Sequence, residues 1–445
     1  LLVFLRQYRS VLGAFALLYL LGNAFAPAAL LLLAVIMVRW MQQGRDDYLI
    51  IMLLIILIMG DSRAYYFDYV KNLRIVAIMI LGVRTFVQIG QGKYAFRSLL
   101  YLSIPFFVVA FLGGLRSPTI GTSLSKLVSY FLLLVVTMHY LPYQIKRQPR
   151  VLADMATLGI VILILGFVLI PVNRDLVYLI VRYRGMLGNP NGLGIYCCMV
   201  FPLLLMAQEL FPEHKRRWQL GIFMVILSIL YANSRTALGT LGLFYFLHWF
   251  YKRNAVATVS LWVLILPGLA LFFSFVSPSD LIRMAGLGEE LRVESLETGT
   301  GRFLAWALGW EQILQNPFIG RGFDYEGIYF HSLAELLVTT EHQGGMHNSW
   351  LTFMMNNGLI GFLFFLLFVL PLLFRMRARA YGLPFALSMI VSATFESWLT
   401  SSLNAFSIHF YLIVMLLVDW PDIQARVTKR LDQSGPQLSS QSSAP

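Results

Sequence analysis

Charge is what this sequence has least of. Asp, Glu, Lys and Arg make up 13% of its 445 residues, about half the share of an ordinary soluble domain, which excludes a chain folded in water around one core. Cysteine is almost absent. The two that occur, Cys197 and Cys198, are adjacent and inside an apolar run, so no disulfide framework is implied and the redox compartment stays open. Buried thiols of this kind act as small apolar side chains. No repeat period is visible along the chain. What fills it instead is apolar: 58% hydrophobic residues, with aromatics at 14%, in runs parted by short basic loops. These features define an all-α polytopic membrane protein. The net charge of +12 collects in the loops, so it does not signal nucleic-acid binding.

A spanning helix needs about 20 mostly apolar residues, fewer when short or interfacial. The runs at 11–22, 28–38, 48–60, 73–90, 97–115, 124–142, 151–172, 192–210, 219–232, 236–251, 255–276, 349–374, 381–398 and 404–420 predict 12–14 spans. The first two could be one broken helix. Arg6 and Arg9 precede the first run and "AFA" at 24–26 is similar to a cleavage site. Pro27 and the apolar residues beyond it predict a retained membrane segment instead.

Basic residues mark the cytoplasmic ends of short loops. Here they are Lys146, Arg147 and Arg150; Lys215, Arg216 and Arg217; Lys252 and Arg253; Arg375, Arg377 and Arg379; and Arg426, Lys429 and Arg430. Alternating sides between these markers divides the chain into four parts. A helix bundle covers 1–276, a long outward loop 277–348, and C-terminal spans 349–420. A cytoplasmic, disordered tail covers 421–445 and ends "SGPQLSSQSSAP", a polar, low-complexity composition. Loops as long as 277–348 are usually functional or disordered. Within it, "GRFLAWALGWEQILQNPFIGRGF" sets Phe303, Trp306, Trp310 and Ile313 at helical spacing. This predicts an amphipathic helix over about 302–315, stopped by Asn316-Pro317 and Gly320, lying on the outer leaflet or capping a cavity.

The alternation also turns 173–191 and 233–235 outward. Arg182, Arg184, Arg235, Arg302 and Arg321 then stand on the side where the topology bias would not put them. Arg235, in "YANSRTALG", lies between two runs too short for full spans, so its turn is expected below the outer surface. An arginine at the centre of a membrane helix costs roughly 2.5–3.5 kcal/mol on insertion scales and is normally paired or functional. An ion pair with Glu396, or snorkelling to headgroups, would account for it. So would a dianionic ligand, because guanidinium grips phosphate oxygens with two bonds. "YRGMLGNPNGLGIY" at 183–196 places Gly185, Gly188, Asn189-Pro190-Asn191 and Gly192 just before a span. Its N–H groups could face the same anion, although turn formation alone explains the pattern.

His347 heads "HNSWLTFMMNNGLIG", where Asn348 or Ser349 caps the helix that follows. The histidine is either the polar start of that helix or a general base at the bilayer surface. His331 and His342, with Glu335 and Glu341, share the loop, but their spacing is not a zinc signature, and no metal is expected.

Four ordered motifs carry a resemblance. "RGMLGNPNGLG" at 184–194, "SRTALG" at 234–239, "GTGRFLAWALGW" at 299–310 with "NPFIGRGF" after it, and "HNSWLTFMMNNGLIGFLFF" at 347–365 resemble the O-antigen ligase and polymerase superfamily. The resemblance covers 184–374 in motif and the whole chain in span pattern. It implies an inner-membrane glycosyltransferase with a periplasmic active site, taking a glycan from undecaprenyl diphosphate to an acceptor sugar. For a ligase of lipopolysaccharide biosynthesis the acceptor is lipid A–core. For a polymerase of O-antigen or exopolysaccharide it is a second lipid-linked repeat unit. No cofactor, metal or nucleotide sugar is implied; the partners are the donor, the acceptor and membrane lipids.

Carried over residue by residue, His347 falls on the family's essential histidine, Arg235 and Arg302 on its essential arginines, and Arg184 on a further arginine. Asn348, Arg321 and Asn191 are supporting candidates. His347 would accept the proton of the attacking hydroxyl and the arginines would stabilise the departing diphosphate. A single displacement would invert the anomeric centre. Ligase is the expectation and polymerase the alternative. A lipid-linked oligosaccharide flippase or transporter would rest instead on Arg84 and His409, each inside a span, but transporter sites lie near the midplane, whereas the polar residues here gather at one face.

Overall fold

The computed structural model describes residues 1–61, 69–94, 97–253, 302–333 and 345–434. The protein is an all-α polytopic membrane protein, with 82% of the described residues helical. Helices α1 (Arg9–Ala24) and α2 (Ala26–Gln42) are parted by one extended residue, Phe25, and pack on each other. They form a hairpin rather than one interrupted span. Pro27 sits in the first turn of α2, where its missing N–H leaves no bond unmade.

Helices α3 (Asp46–Asp61), α4 (Val70–Gly90), α5 (Ile104–Gly114) and α6 (Ile120–Val135) follow. The last continues through a π turn into Leu141–Arg147. Next come α7 (Arg150–Val168), a hairpin of β1 (Tyr178–Leu179) and β2 (Arg182–Tyr183), α8 (Pro190–Leu210), α9 (Lys215–Ala232) and α10 (Arg235–Arg253). Beyond 301 the described chain forms α11 (Arg302–Gln315), α12 (Tyr325–Ser332), α13 (Ser349–Phe374), α14 (Arg379–Phe395), α15 (Ala405–Val418) and α16 (Trp420–Ser434). Helices α3, α8 and α15 are apolar all round and buried almost throughout, which places them inside the bundle.

Among the described residues, five helices are long and apolar enough to cross a bilayer, or six if the bent pair α15–α16 counts as one. The sequence predicts 12–14. Part of the difference is length, since α1, α2, Ser98–Gly114 and Ala380–Phe395 are apolar but shorter. Part is composition, since α9 and α10, of 18 and 19 residues, carry basic residues at their ends and are not apolar enough throughout. The expected span at 255–276 lies outside the described residues. The tail differs too. Residues 421–434, expected to be disordered, continue α16, which bends 68° away from α15. Trp420, Ile423 and Val427 are buried at helical spacing, so this segment has an apolar face to dock.

One end of the bundle gathers the basic loops. Tyr8 bonds Asp154 there, Tyr140 and Arg84 bond Asp46, and Lys146 bonds Asp422. Glu209, at the end of α8, bonds Tyr381 at the start of α14 and Gln424 on α16. The starts of α8, α10 and α13 lie at the opposite end.

Helix α13 is not one rod. Gly358 has φ 68° and ψ 178°, and the backbone of "NPFIGRG" enters the break. Leu359 N–H donates to Pro317 O (2.7 Å), Ile360 N–H to Phe318 O (3.1 Å), and Gly322 N–H to Asn356 O (2.9 Å). A Cβ on Gly358 would lie 2.2 Å from Phe318 O, and one on Gly320 would lie 2.5 Å from Asn356 O. Interrupting a membrane helix is tolerated when other protein groups satisfy the freed backbone. Here the loop does so.

Candidate active site

Four helix starts are joined by hydrogen bonds at the end of the bundle away from the basic loops. Asn189 caps α8 by accepting from Gly192 N–H, and Asn191, in the first turn, donates from Nδ2 to Glu396 Oε1 at 2.8 Å. Ser234, just before α10, donates to Asn191 Oδ1 at 3.3 Å. Arg302, the first residue of α11, reaches Glu396 Oε1 with Nη2 at 2.9 Å. His347, two residues before α13, places Nδ1 3.2 Å from Glu396 Oε2. Helix N-termini present unbonded N–H groups and the positive end of the helix dipole, so this arrangement favours an anion.

Glu396 ends α14 and its side chain is 8% exposed, against 20% for Arg302 and 27% for His347. The carboxylate is thus the buried hub, and the imidazole and guanidinium are its reachable arms. Ser349 Oγ donates to the Glu396 carbonyl at 2.7 Å, holding the two helix ends together. With Glu396 accepting from Nδ1–H, the lone pair of His347 lies on Nε2, the arrangement that suits a base oriented by a carboxylate.

Two residues bordering the cluster have left-handed backbone, Asn233 at φ 47° and His347 at φ 48°. Asn and His are among the residue types that tolerate this region best, and such strain persists only where surroundings enforce it. Arg182 enforces the first: its guanidinium donates to the carbonyls of Ala232 and Asn233 at 3.0 Å and to Asn191 Oδ1 at 3.1 Å. That clamp fixes the turn leading into Arg235, which is the half-buried first residue of α10. Three bonds enforce the second. Met346 N–H donates to Glu326 Oε1 at 2.7 Å, Trp306 Nε1 to Met346 O at 2.9 Å, and Asn348 N–H to Ser397 Oγ at 2.9 Å. Burial raises the Glu326 carboxyl above the usual carboxylate range, while the Met346 N–H and the nearby His347 act to lower it.

The other expected residues take more local places. Asn348 caps α13, accepting from Trp350 and Leu351 N–H. Arg184 is buried and donates to the carbonyls of Gly188 and Asp175, holding the turn before α8. Arg321 bonds the Tyr325 hydroxyl at 2.7 Å and stacks on its ring. Helix α11 turns Ala305, Gly309 and Ile313 inward with Trp306 half-covered, while Phe303 and Trp310 stay exposed. The small residues allow close approach, and Gly309 lies against the Met346 side chain. His342, Glu335 and Glu341 lie outside the described residues; among the described ones, no three potential metal ligands gather.

Residues 220–366 match the family model described as O-antigen ligase. About a third of the chain is therefore similar to an O-antigen ligase domain. No curated protein matches the chain. The matched stretch takes in Arg235, Arg302, Arg321, His347 and Asn348, whereas Asn191 and Glu396 lie outside it and join it through the fold. The match supports a ligase- or polymerase-type, glycosyltransferase-like function in O-antigen biosynthesis.

The sequence offered Glu396 as a partner for Arg235; the structure makes it the hub for Arg302 and His347. Its signal was a single acid between two apolar runs. Glu326 and the clamp made by Arg182 had no local signature. Arg84 and His409, the features a transporter reading would use, are held by the fold: Arg84 pairs with Asp46, and His409 bonds the Ala405 carbonyl and stacks edge-on against Tyr196.

Proposed function

We propose that this protein transfers a glycan from undecaprenyl diphosphate to lipid A–core on the periplasmic side of the bacterial inner membrane. The observation that supports this most is the Glu396 carboxylate, which holds a histidine and an arginine side by side among helix N-termini, opposite the basic loops. Residues 277–348 form the periplasmic loop in this reading, between the bundle of 1–276 and the spans of 349–420.

His347 Nε2 removes the proton of the acceptor hydroxyl, and the oxygen attacks the anomeric carbon of the donor sugar. The bond from that carbon to the phosphate oxygen breaks, and its electron pair leaves with the lipid diphosphate. One displacement inverts the anomeric configuration. A positioned base contributes typically 10²–10⁴-fold. Arg235 and Arg302 face the charge that grows on the leaving group, where a preorganised donor is worth about 10²–10³-fold. Glu396 fixes the imidazole and balances the imidazolium as it forms. Arg184 shapes the turn before α8 that offers further N–H groups to the diphosphate.

The test is incubation of purified protein with lipid-linked glycan and either lipid A–core or excess donor. One shifted lipid band with lipid A–core supports the ligase. A ladder from donor alone would replace it with a polymerase, and no transfer with either acceptor would end the reading. His347→Ala should abolish transfer while the protein still accumulates in the membrane.

A further inference from the structure

At the opposite end of α13 from His347, a cationic pocket remains unexplained by glycan transfer. It measures about 490 Å³ and is lined by Arg97, Ser98, Leu99, Arg375, Arg377, Val418 and Asp419. Several elements build it: the short helix Ser98–Tyr101, the loop between α13 and α14, and the end of α15. The loop is pinned, because the N–H groups of Arg377 and Ala378 both donate to Leu417 O, at 2.9 and 3.2 Å.

Asp419 is neutralised from two sides. Arg97 holds it with two nitrogens, and Lys146 reaches it at 3.1 Å. Arg375 and Arg377 are exposed and form no ion pair within 4.0 Å among the described residues, so the pocket keeps a surplus of positive charge. Leading away from it, α13 and the Ser98–Tyr101 helix pack together, and both flanks of that seam are apolar and exposed. Phe374 is 85% exposed, and Leu370, Leu367, Leu102 and Ile104 are exposed too.

A charged head and an apolar runway identify the occupant class. We infer that this pocket binds the phosphodiester headgroup of an anionic glycerophospholipid, through Arg375 and Arg377, with its acyl chains along Phe374, Leu370 and the Ser98–Tyr101 helix. Guanidinium suits a phosphodiester because it offers two parallel donors, and basic pockets between membrane helices are established sites for acidic headgroups. Neither arginine belongs to the glycan-transfer site, so the inference stands whether or not that reaction is the right one.

The experiment uses the full chain in detergent with an equimolar mixture of dioleoyl phosphatidylglycerol and dioleoyl phosphatidylcholine, counting retained lipids by native mass spectrometry. Wild type should retain the anionic lipid with about tenfold preference. Arg375→Gln/Arg377→Gln should lose that preference, and Lys215→Gln/Arg216→Gln, at the exposed basic start of α9 on the same face, should keep it. If the double variant fails to accumulate, Arg375→Gln alone should weaken the preference. Equal loss in both double variants would reduce the effect to diffuse surface charge and overturn the pocket. So would equal retention of the two lipids by wild type, or displacement of the bound lipid by millimolar inorganic phosphate, which would mark a soluble-anion site.

Discussion

His347 and Glu396 are 49 positions apart, yet Nδ1 of one lies 3.2 Å from Oε2 of the other. The same carboxylate holds Arg302 through its second oxygen. Imidazole and guanidinium are therefore registered to each other by one acidic side chain.

Glu396→Gln keeps the size of the side chain and removes its charge. Transfer should fall by at least about 10²-fold, because the imidazolium loses its counter-charge and the ring its orientation. Groups that act as a unit are non-additive, so Glu396→Gln/His347→Ala should be no slower than His347→Ala alone. Initial transfer rates from lipid-linked donor check this, and multiplying losses would separate the two residues.

Arg235→Lys retains charge and loses the planar fork that matches phosphate. The expected outcome is a fall in kcat of about 10²-fold with unchanged membrane accumulation. An active Arg235→Ala variant would remove the residue from the diphosphate site.

Gly358→Ala tests the break in α13. The added Cβ meets Phe318 O at 2.2 Å, on a backbone with φ 68°, so loop and helix cannot both stay in place. Left-handed strain alone costs on the order of 1–3 kcal/mol. A lowered melting temperature of the purified protein is expected, and a wild-type melt would show that the loop does not fill the break.

Glu326→Gln separates charge from hydrogen bonding beside His347. Folding raises the pKa of this carboxyl, chiefly through burial, so the folded protein holds its proton more tightly than the unfolded chain. Its stabilising contribution is then full below the ordinary carboxylate range and is lost as pH rises through the raised value. Glutamine keeps an acceptor for Met346 N–H without the charge. The variant should melt with wild type in acid and above it as pH increases; a pH-independent difference would argue against the linkage.

What the sequence disclosed was what short stretches encode. Composition decided the membrane class, helical spacing and Asn316-Pro317 delimited α11, and Asn348 announced the start of α13 by its capping chemistry. The break at Gly358 was illegible because apolar residues continue on both sides of it. Its partner, Phe318, is 40 positions earlier, where hydropathy registers only a loop. Glu396 was visible as an isolated acid but not as a hub, since its partners come from three distant helix starts. Large aromatics dominate the hydropathy pattern of α11, so the inward role of Ala305 and Gly309, which set how closely the helix can approach, was not legible.

The interruption of α13 changes what carries the imidazole. Residues 349–357 form a short separate segment, stitched by backbone bonds to the stretch after α11 and capped against the end of α14. His347 is therefore held from two directions, by the end of α14 through Glu396 and Ser397 and by the stretch before it through Met346. Because Pro317 and Phe318 take the N–H groups of Leu359 and Ile360 while Gly322 donates to Asn356, the stretch after α11 is a splice that joins the two halves of α13 across Gly358.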